Sequence, residues 1–191
     1  MDEIARSLES FVRQYRLPAR GDRVLVACSG GADSMALLHA LADAADCLGI
    51  VVGCAHYEHG LRGAESAGDM DFVRRQADAR GLRFHVERLP AGEIHRRTHE
   101  SLQAAARRMR YSFLERIRGQ EGYDHIALAH TADDQIETVF FKICRGTSLA
   151  GLAGMAAFRD GLIRPLLGVS RAVIEDWLGR RGFSWREDGS N

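Results

Sequence analysis

Short apolar runs alternating with helix-length segments predict an α/β chain built on a mainly parallel, doubly wound sheet with helices on both faces. Two observations carry that fold class. Residues 24–28, 50–55, 82–86 and 125–129 are strand-like, and each is followed by a segment long enough for a crossover helix. The first run also passes straight into Ser29-Gly30-Gly31-Ala32-Asp33-Ser34 and then into the apolar stretch 35–41, the order of a buried strand, a tight turn and a helix. The chain has 191 residues, enough for one domain with a sizeable core.

The elements follow in order. Residues 2–16 read as an amphipathic helix with Ile4, Leu8, Phe11, Val12 and Tyr15 on one face, closed by Pro18 and Gly21. Helices are expected at 33–45, 65–80, 101–118 and 134–145, one after each strand. Residues 146–161 are rich in glycine and alanine and predict a short helix and turns. Residues 162–167 (LIRPLL) form a short apolar segment broken by Pro165. A helix over 170–181 takes Ser170 as N-cap, and 183–185 is extended or a short strand.

Composition narrows the setting. No apolar run is long enough to span a bilayer, and the polar start MDEIARSLES is unlike a signal peptide, so a cytoplasmic protein is expected. The formal net charge is zero, which gives no global attraction to nucleic acid. Charge is nevertheless uneven, with seven arginines and two glutamates between Arg96 and Arg118. Lys142 is the only lysine among 26 basic residues, a chain-wide bias that marks no site. The four cysteines form no C-x-x-C pair, and Cys28, Cys54 and Cys144 read as small buried hydrophobes.

In an α/β sheet of this kind, ligands lie beyond the carboxyl ends of the strands. Three polar clusters stand there: residues 29–34, 56–62 and 130–134. In the first, Gly30 and Gly31 let backbone N–H groups approach a phosphate closely, and Ser29 and Ser34 add hydroxyl donors. The loop lacks the lysine of G-x-x-x-x-G-K-[ST] and the spacing of G-x-G-x-x-G. An ordinary glycine turn is the plain alternative. His56 and His59, with His130 as a third ligand, could hold zinc, and a polar loop at the sheet rim is the plain alternative; the preferred reading is that this loop helps hold a nucleotide or substrate, with Arg62 available to an anion. Arg107 and Arg110 share a helical face and either form a solvated surface or reach phosphate. Asp133 or Thr131 could simply cap a helix, while Asp134 and Glu137, three apart, could hold an amine-bearing substrate.

The hexapeptide SGGADS resembles the S-G-G-x-D-S loop of the N-type ATP pyrophosphatases, the PP-loop superfamily. Further segments are more specific: AHYEHGLRG, LQAAARRMRYSFLE, HTADDQIET, IRPLLGVSR and FSWREDGSN. Together, over residues 24–191, they resemble bacterial tRNA(Ile)-lysidine synthase. The resemblance implies an adenine nucleotide alpha hydrolase-like fold and a carbon–nitrogen ligase. ATP would adenylate the carbon-2 oxygen of the wobble cytidine in an isoleucine tRNA with a CAU anticodon. Free L-lysine would then displace AMP. The resemblance places Ser29, Gly30, Gly31, Ala32, Asp33 and Ser34 on ATP, with Asp33 a candidate ligand of Mg²⁺. It places His130 and Arg107 or Arg110 near the phosphates, and Asp134 and Glu137 on lysine.

Residues 1–191 would then be the catalytic domain, with an N-terminal helix at 1–20 and a distal helical segment at 146–191. The further tRNA-binding domains of full family members are absent from this chain, and a homodimer stays open. Glu58 departs from the small polar residue usual in the family at that position. Two alternatives stand beside this reading: another PP-loop tRNA-modifying enzyme, and an ATP-binding module without catalysis.

Overall fold

The computed structural model describes residues 2–58, 64–89, 101–146 and 153–187, with the side chains of 64–67 left aside. His59, Gly60, Leu61 and Arg62 therefore lie outside the described residues, as do 147–152 and the DGSN ending. Helix α1 (Glu3–Tyr15) is capped by Asp2, whose carboxylate accepts from Ala5 N at 2.8 Å. It buries Ile4, Leu8 and Phe11, whereas Tyr15 stays exposed at its last turn.

Six strands form one sheet: β1 (Arg23–Ala27), β2 (Val51–Glu58), β3 (Arg83–Arg88), β4 (His125–Ala127), β5 (Phe158–Arg159) and β6 (Leu162–Ile163). Their order is β3-β2-β1-β4-β6-β5, all parallel except the β5–β6 pair. The expected doubly wound sheet is thus present. The chain runs outward from β1 through β2 to β3, then returns to place β4 on the other side of β1. This reversal makes the carboxyl ends of β1 and β4 the topological switch point.

The connecting helices are α2 (Ala32–Leu48), α3 (Ala64–Ala79), α4 (Leu102–Glu121), α5 (Ala132–Cys144) and α6 (Arg171–Arg181). Alternation along β1 explains how two cores form. Val24 and Val26 face α2 and α3, in a cluster with Met35, Leu38, Phe72, Val73 and Trp177. Leu25 faces the other way, toward Phe113, Leu114 and Ile117 of α4. Gly53 in β2 is where Tyr123 crosses the sheet, since a Cβ there would lie 2.0 Å from the tyrosine oxygen.

Two expectations need correction, and the exposure of one helix explains the second. Residues 158–159, read as part of a helix-and-turn segment, form an edge strand paired with β6. Asp160 and Gly161, at φ of 52° and 80°, make the two-residue turn that suits a right-twisted hairpin. Helix α5 forms where expected but buries none of its residues: Ile136, Phe140, Phe141 and Ile143 are all more than half exposed. Cys144, on that helix, is consequently exposed rather than buried, while Cys28 and Cys54 are buried as expected.

Candidate functional site

A cleft of about 860 Å³ opens at the switch point. Its floor is the carboxyl end of β1 and the turn to α2, and its walls include His56, Tyr57 and Glu58 of β2, Arg110 of α4, and His130 and Asp134 after β4. All three polar clusters found in sequence contribute to it: Ser29 and residues 31–34 from the first, the described residues 56–58 from the second, and His130 and Asp134 from the third.

Residues 29–34 fold into a turn organised around one hydroxyl. Ser34 Oγ accepts from the backbone N–H groups of Ser29 and Gly30, each at 3.2 Å, and donates to Gly31 O at 2.9 Å. Gly30 has φ +100°, a conformation that side chains disfavour, and a Cβ there would meet Val73 Cγ2 at 3.3 Å. Gly31 is the N-cap of α2 and supplies no side-chain cap. The first turn of a 17-residue helix therefore presents backbone N–H groups and the positive end of its dipole to the cleft. Such a turn is built to receive an anion.

Asp33 lines the cleft beside this turn. Its Oδ2 accepts from Arg171 Nη2 at 2.8 Å, while Oδ1 is buried without a hydrogen-bond partner. Burial raises the carboxyl above its usual range, Arg171 opposes that rise, and Asp134 and Asp133 add to it. A lone carboxylate oxygen is the donor Mg²⁺ favours when the remaining ligands are phosphate and water. Among the described residues, no group of three His, Cys, Asp or Glu could hold a metal by itself. An all-protein zinc site built on His56 and His130 is therefore not formed among the described residues.

The two histidines carry opposite tautomers. His56 donates from Nδ1 to Cys28 O at 2.9 Å and ties β2 to the end of β1. Burial keeps its ring below the ordinary histidine value. His130 instead accepts at Nδ1 from Arg164 Nε at 3.1 Å. Burial first, then the charge of Arg164, with smaller contributions from Arg107 and Arg110, pushes its pKa to about 4 against the pull of Asp134.

Thr131 and Asp134 form a reciprocal cap on α5. Thr131 Oγ1 accepts from Asp134 N at 3.4 Å, and Asp134 Oδ2 accepts from Thr131 N at 2.8 Å. This folds the Asp134 carboxylate back onto the rim of the cleft that the residue lines, and the cap uses only one of its two oxygens. Asp133 caps a different helix, accepting from Arg171 N at the start of α6.

The candidate residues do not all converge. Arg110 lines the cleft with a buried Nε that has no partner, and burial lowers its pKa from the ordinary arginine value. Arg107 is exposed, bonded to Tyr111 Oη at 3.2 Å, and outside the cleft wall. Glu137 is also exposed and outside it. Helical spacing puts Glu137 on the face of Asp134, but a turn farther from the rim. Ser29, Gly31, Ala32, Asp33, Ser34, Arg110, His130 and Asp134 do meet in the cleft, and Gly30 closes the turn beneath it.

Several contributors were missed. Arg171 and Arg164 carry the two ion-side contacts just described. Trp185, Arg186 and Glu187 also line the cleft, because Arg186 N donates to Gly30 O at 2.9 Å and lays the C-terminal segment along the turn. Arg186 also pairs with Asp69 at 3.3 Å. The signal for Arg164 was a charge inside an apolar run; that for Arg186 was the WREDGSN motif itself.

Comparison with known proteins agrees with this geometry. The family described as the PP-loop domain matches residues 1–191. The tRNA(Ile)-lysidine synthase of Chlorobaculum tepidum is 40% identical over 184 residues, covering 96% of this chain and 55% of that protein. That of Bacillus subtilis is 38% identical over 190 residues, covering 97% of this chain and 40% of that protein. The chain thus spans about half the length, or less, of these curated relatives. Among solved structures, a U34-tRNA thiolase from Methanococcus maripaludis superposes with a TM-score of 0.81 at 15% identity, covering 97% of this chain and 65% of that one. An NH3-dependent NAD synthetase from Campylobacter jejuni gives 0.61 at 14%, covering 96% and 75%. At these identities the two structures speak for the fold alone.

Proposed function

From a chain that belongs to the PP-loop domain family, we propose an ATP-dependent ligase domain that joins L-lysine to carbon 2 of the wobble cytidine in the CAU-anticodon isoleucine tRNA. The observation that carries this reading is the shared cleft. The anion-receiving turn at Ser29–Ser34 and the amine-accepting carboxylate of Asp134 open into the same space. The names of the curated relatives support the choice of reaction among those a PP-loop domain performs.

In this reading the β and γ phosphates rest on the N–H groups at the start of α2. Arg110, buried and without a partner at Nε, turns to the α phosphate as charge develops there. His130 donates a neutral N–H from Nε2. Asp33 Oδ1 would hold Mg²⁺, which supplies charge neutralisation for the phosphate chain. The cytidine O2 attacks the α phosphate, pyrophosphate leaves, and the adenylated base then accepts the lysine ε-amine with loss of AMP.

Lysine carries an ordinary pKa of about 10.4, so its amine must lose a proton before it attacks. We assign that amine to the free oxygen of Asp134, and the α-ammonium group to Glu137 farther along α5. Lys, ATP and tRNA thus approach one rim from α5, α2 and the open side of the cleft.

The test is production of AMP and pyrophosphate from ATP by this domain within its full-length protein. Product is expected only when CAU-anticodon tRNA is present, with lysidine forming only when lysine is added. ATP bound with no AMP formed under those conditions would reduce the domain to a binding module. AMP formed with sulfur transfer in place of lysine would assign it to another tRNA modification.

A further inference from the structure

Arg164 has no part in the reaction as written above, yet it is one of the few charged side chains that the fold buries, at 9% exposure. It stands in an apolar segment just after β6, between Ile163, fully buried, and Pro165. Its Nη1 donates to Ala156 O at 2.7 Å and its Nε donates to His130 Nδ1 at 3.1 Å. Its own backbone N–H donates to Ala157 O at 2.9 Å. The guanidinium is therefore fixed at two ends, by a carbonyl of the 155–157 segment and by the imidazole.

A guanidinium can only donate, so the nitrogen that receives it must carry the lone pair. His130 Nδ1 is thus unprotonated, and the ring proton of the neutral imidazole sits on Nε2. His130 lines the cleft, and Nδ1 is already used, so Nε2–H is the group left for a ligand. We propose that Arg164 is a positioning residue that locks His130 as a neutral Nε2–H donor facing the phosphate chain of ATP.

The groups around the ring decide its charge. Arg164, Arg107 and Arg110 oppose protonation, Asp134 favours it, and burial adds to the opposition. Without Arg164, the imidazole loses both its nearest opposing charge and the bond that selects the tautomer. His56 serves as an internal contrast, because its Nδ1 donates to a carbonyl and so carries the ring proton, the reverse of His130. A neutral donor suits a site that must release pyrophosphate: it orients a phosphate oxygen without adding another fixed cation beside Arg110.

The inference rests on the nucleotide reading only for the identity of the ligand. Imidazole nitrogen NMR of the wild-type chain tests the lock with no nucleotide present. The expected spectrum has His130 as the Nε2–H tautomer, hydrogen-bonded at Nδ1, with no titration down to about pH 5. An Nδ1–H tautomer, or titration near the ordinary histidine value, overturns the proposal whether or not any variant folds. In R164M, His130 should titrate at a higher pH than in wild type, still below the ordinary value because burial remains, and should populate both tautomers. ATP affinity of that variant should fall about fivefold near pH 8, and the deficit should shrink as pH drops and the ring becomes cationic. R164K, which keeps a cationic donor, should retain more of the wild-type behaviour. A loss of affinity in R164M with the tautomer and titration unchanged would make Arg164 merely structural and refute the proposal. Failure of the wild-type chain to bind ATP would refute the nucleotide reading and leave the NMR result standing.

Discussion

His39 offers a sharp test of how burial sets charge in this fold. It lies on α2 at 2% exposure, stacked on Phe183 with ring centroids 4.0 Å apart, and neither ring nitrogen has a hydrogen-bond partner. Burial, helped by the charge of Arg80 and opposed by Asp43, holds its pKa at about 4 rather than 6.5. The folded value lies below the unfolded one. His39 therefore costs no stability above about pH 6.5, and its penalty grows as pH falls toward 4, where the unfolded chain binds a proton that the folded chain refuses. Integrated between about pH 8 and pH 5, this removes roughly 2 kcal/mol from the folding free energy. His56, His85 and His130 are also depressed by burial and add their own losses, so a comparison with a variant is needed. His39→Leu nearly conserves volume and should change stability near pH 8 by less than about 1.5 kcal/mol. Urea unfolding followed by tryptophan fluorescence would give both free energies. The expected outcome is that the variant loses roughly 2 kcal/mol less than wild type on going to about pH 5. Equal losses in the two chains would show that His39 is not held neutral by its surroundings.

Other expectations are more local. Gly30→Ala forces a side chain into a positive-φ turn against Val73, and should cost about 1–3 kcal/mol and weaken ATP binding, measured by unfolding and calorimetry. Gly53→Ala puts a methyl group where the Tyr123 oxygen lies and should destabilise by about 3 kcal/mol in thermal unfolding, while Gly53→Ala combined with Tyr123→Phe should recover part of it. Asp134→Asn keeps an acceptor for the Thr131 cap, so stability should stay within about 1 kcal/mol of wild type. Its loss of charge should nevertheless weaken lysine use far more than ATP binding in the full-length enzyme. Equal effects on the two substrates would remove Asp134 from the amine.

The switch-point sheet could be read from the chain because its cues are local. A strand, two glycines and a helix start follow one another at residues 24–41, and no distant contact is needed to see them. The hairpin at 158–163 carried an equally local cue, the Asp160-Gly161 pair, which the glycine- and alanine-rich surroundings obscured. The exposure of α5 was not legible for a different reason. Periodicity shows that Ile136, Phe140 and Ile143 share a stripe, but not whether another element lies against it.

By itself, then, the sequence determined the parallel sheet, the anion-receiving turn and the presence of His130 and Asp134 near its rim, and it left Arg107 and Arg110 as alternatives. The first of these follow from short-range order and from the rule that strand ends converge. The tertiary structure decided which polar atoms are already used. It gave Ser34 to the turn, half of Asp134 to a cap, Nδ1 of His130 to Arg164 and half of Asp33 to Arg171. Those partners lie up to 138 residues apart in the chain, and only packing sets which donor reaches which acceptor. The atoms left over, Asp33 Oδ1, Arg110 Nε and His130 Nε2 among them, are what the cleft has to offer a ligand.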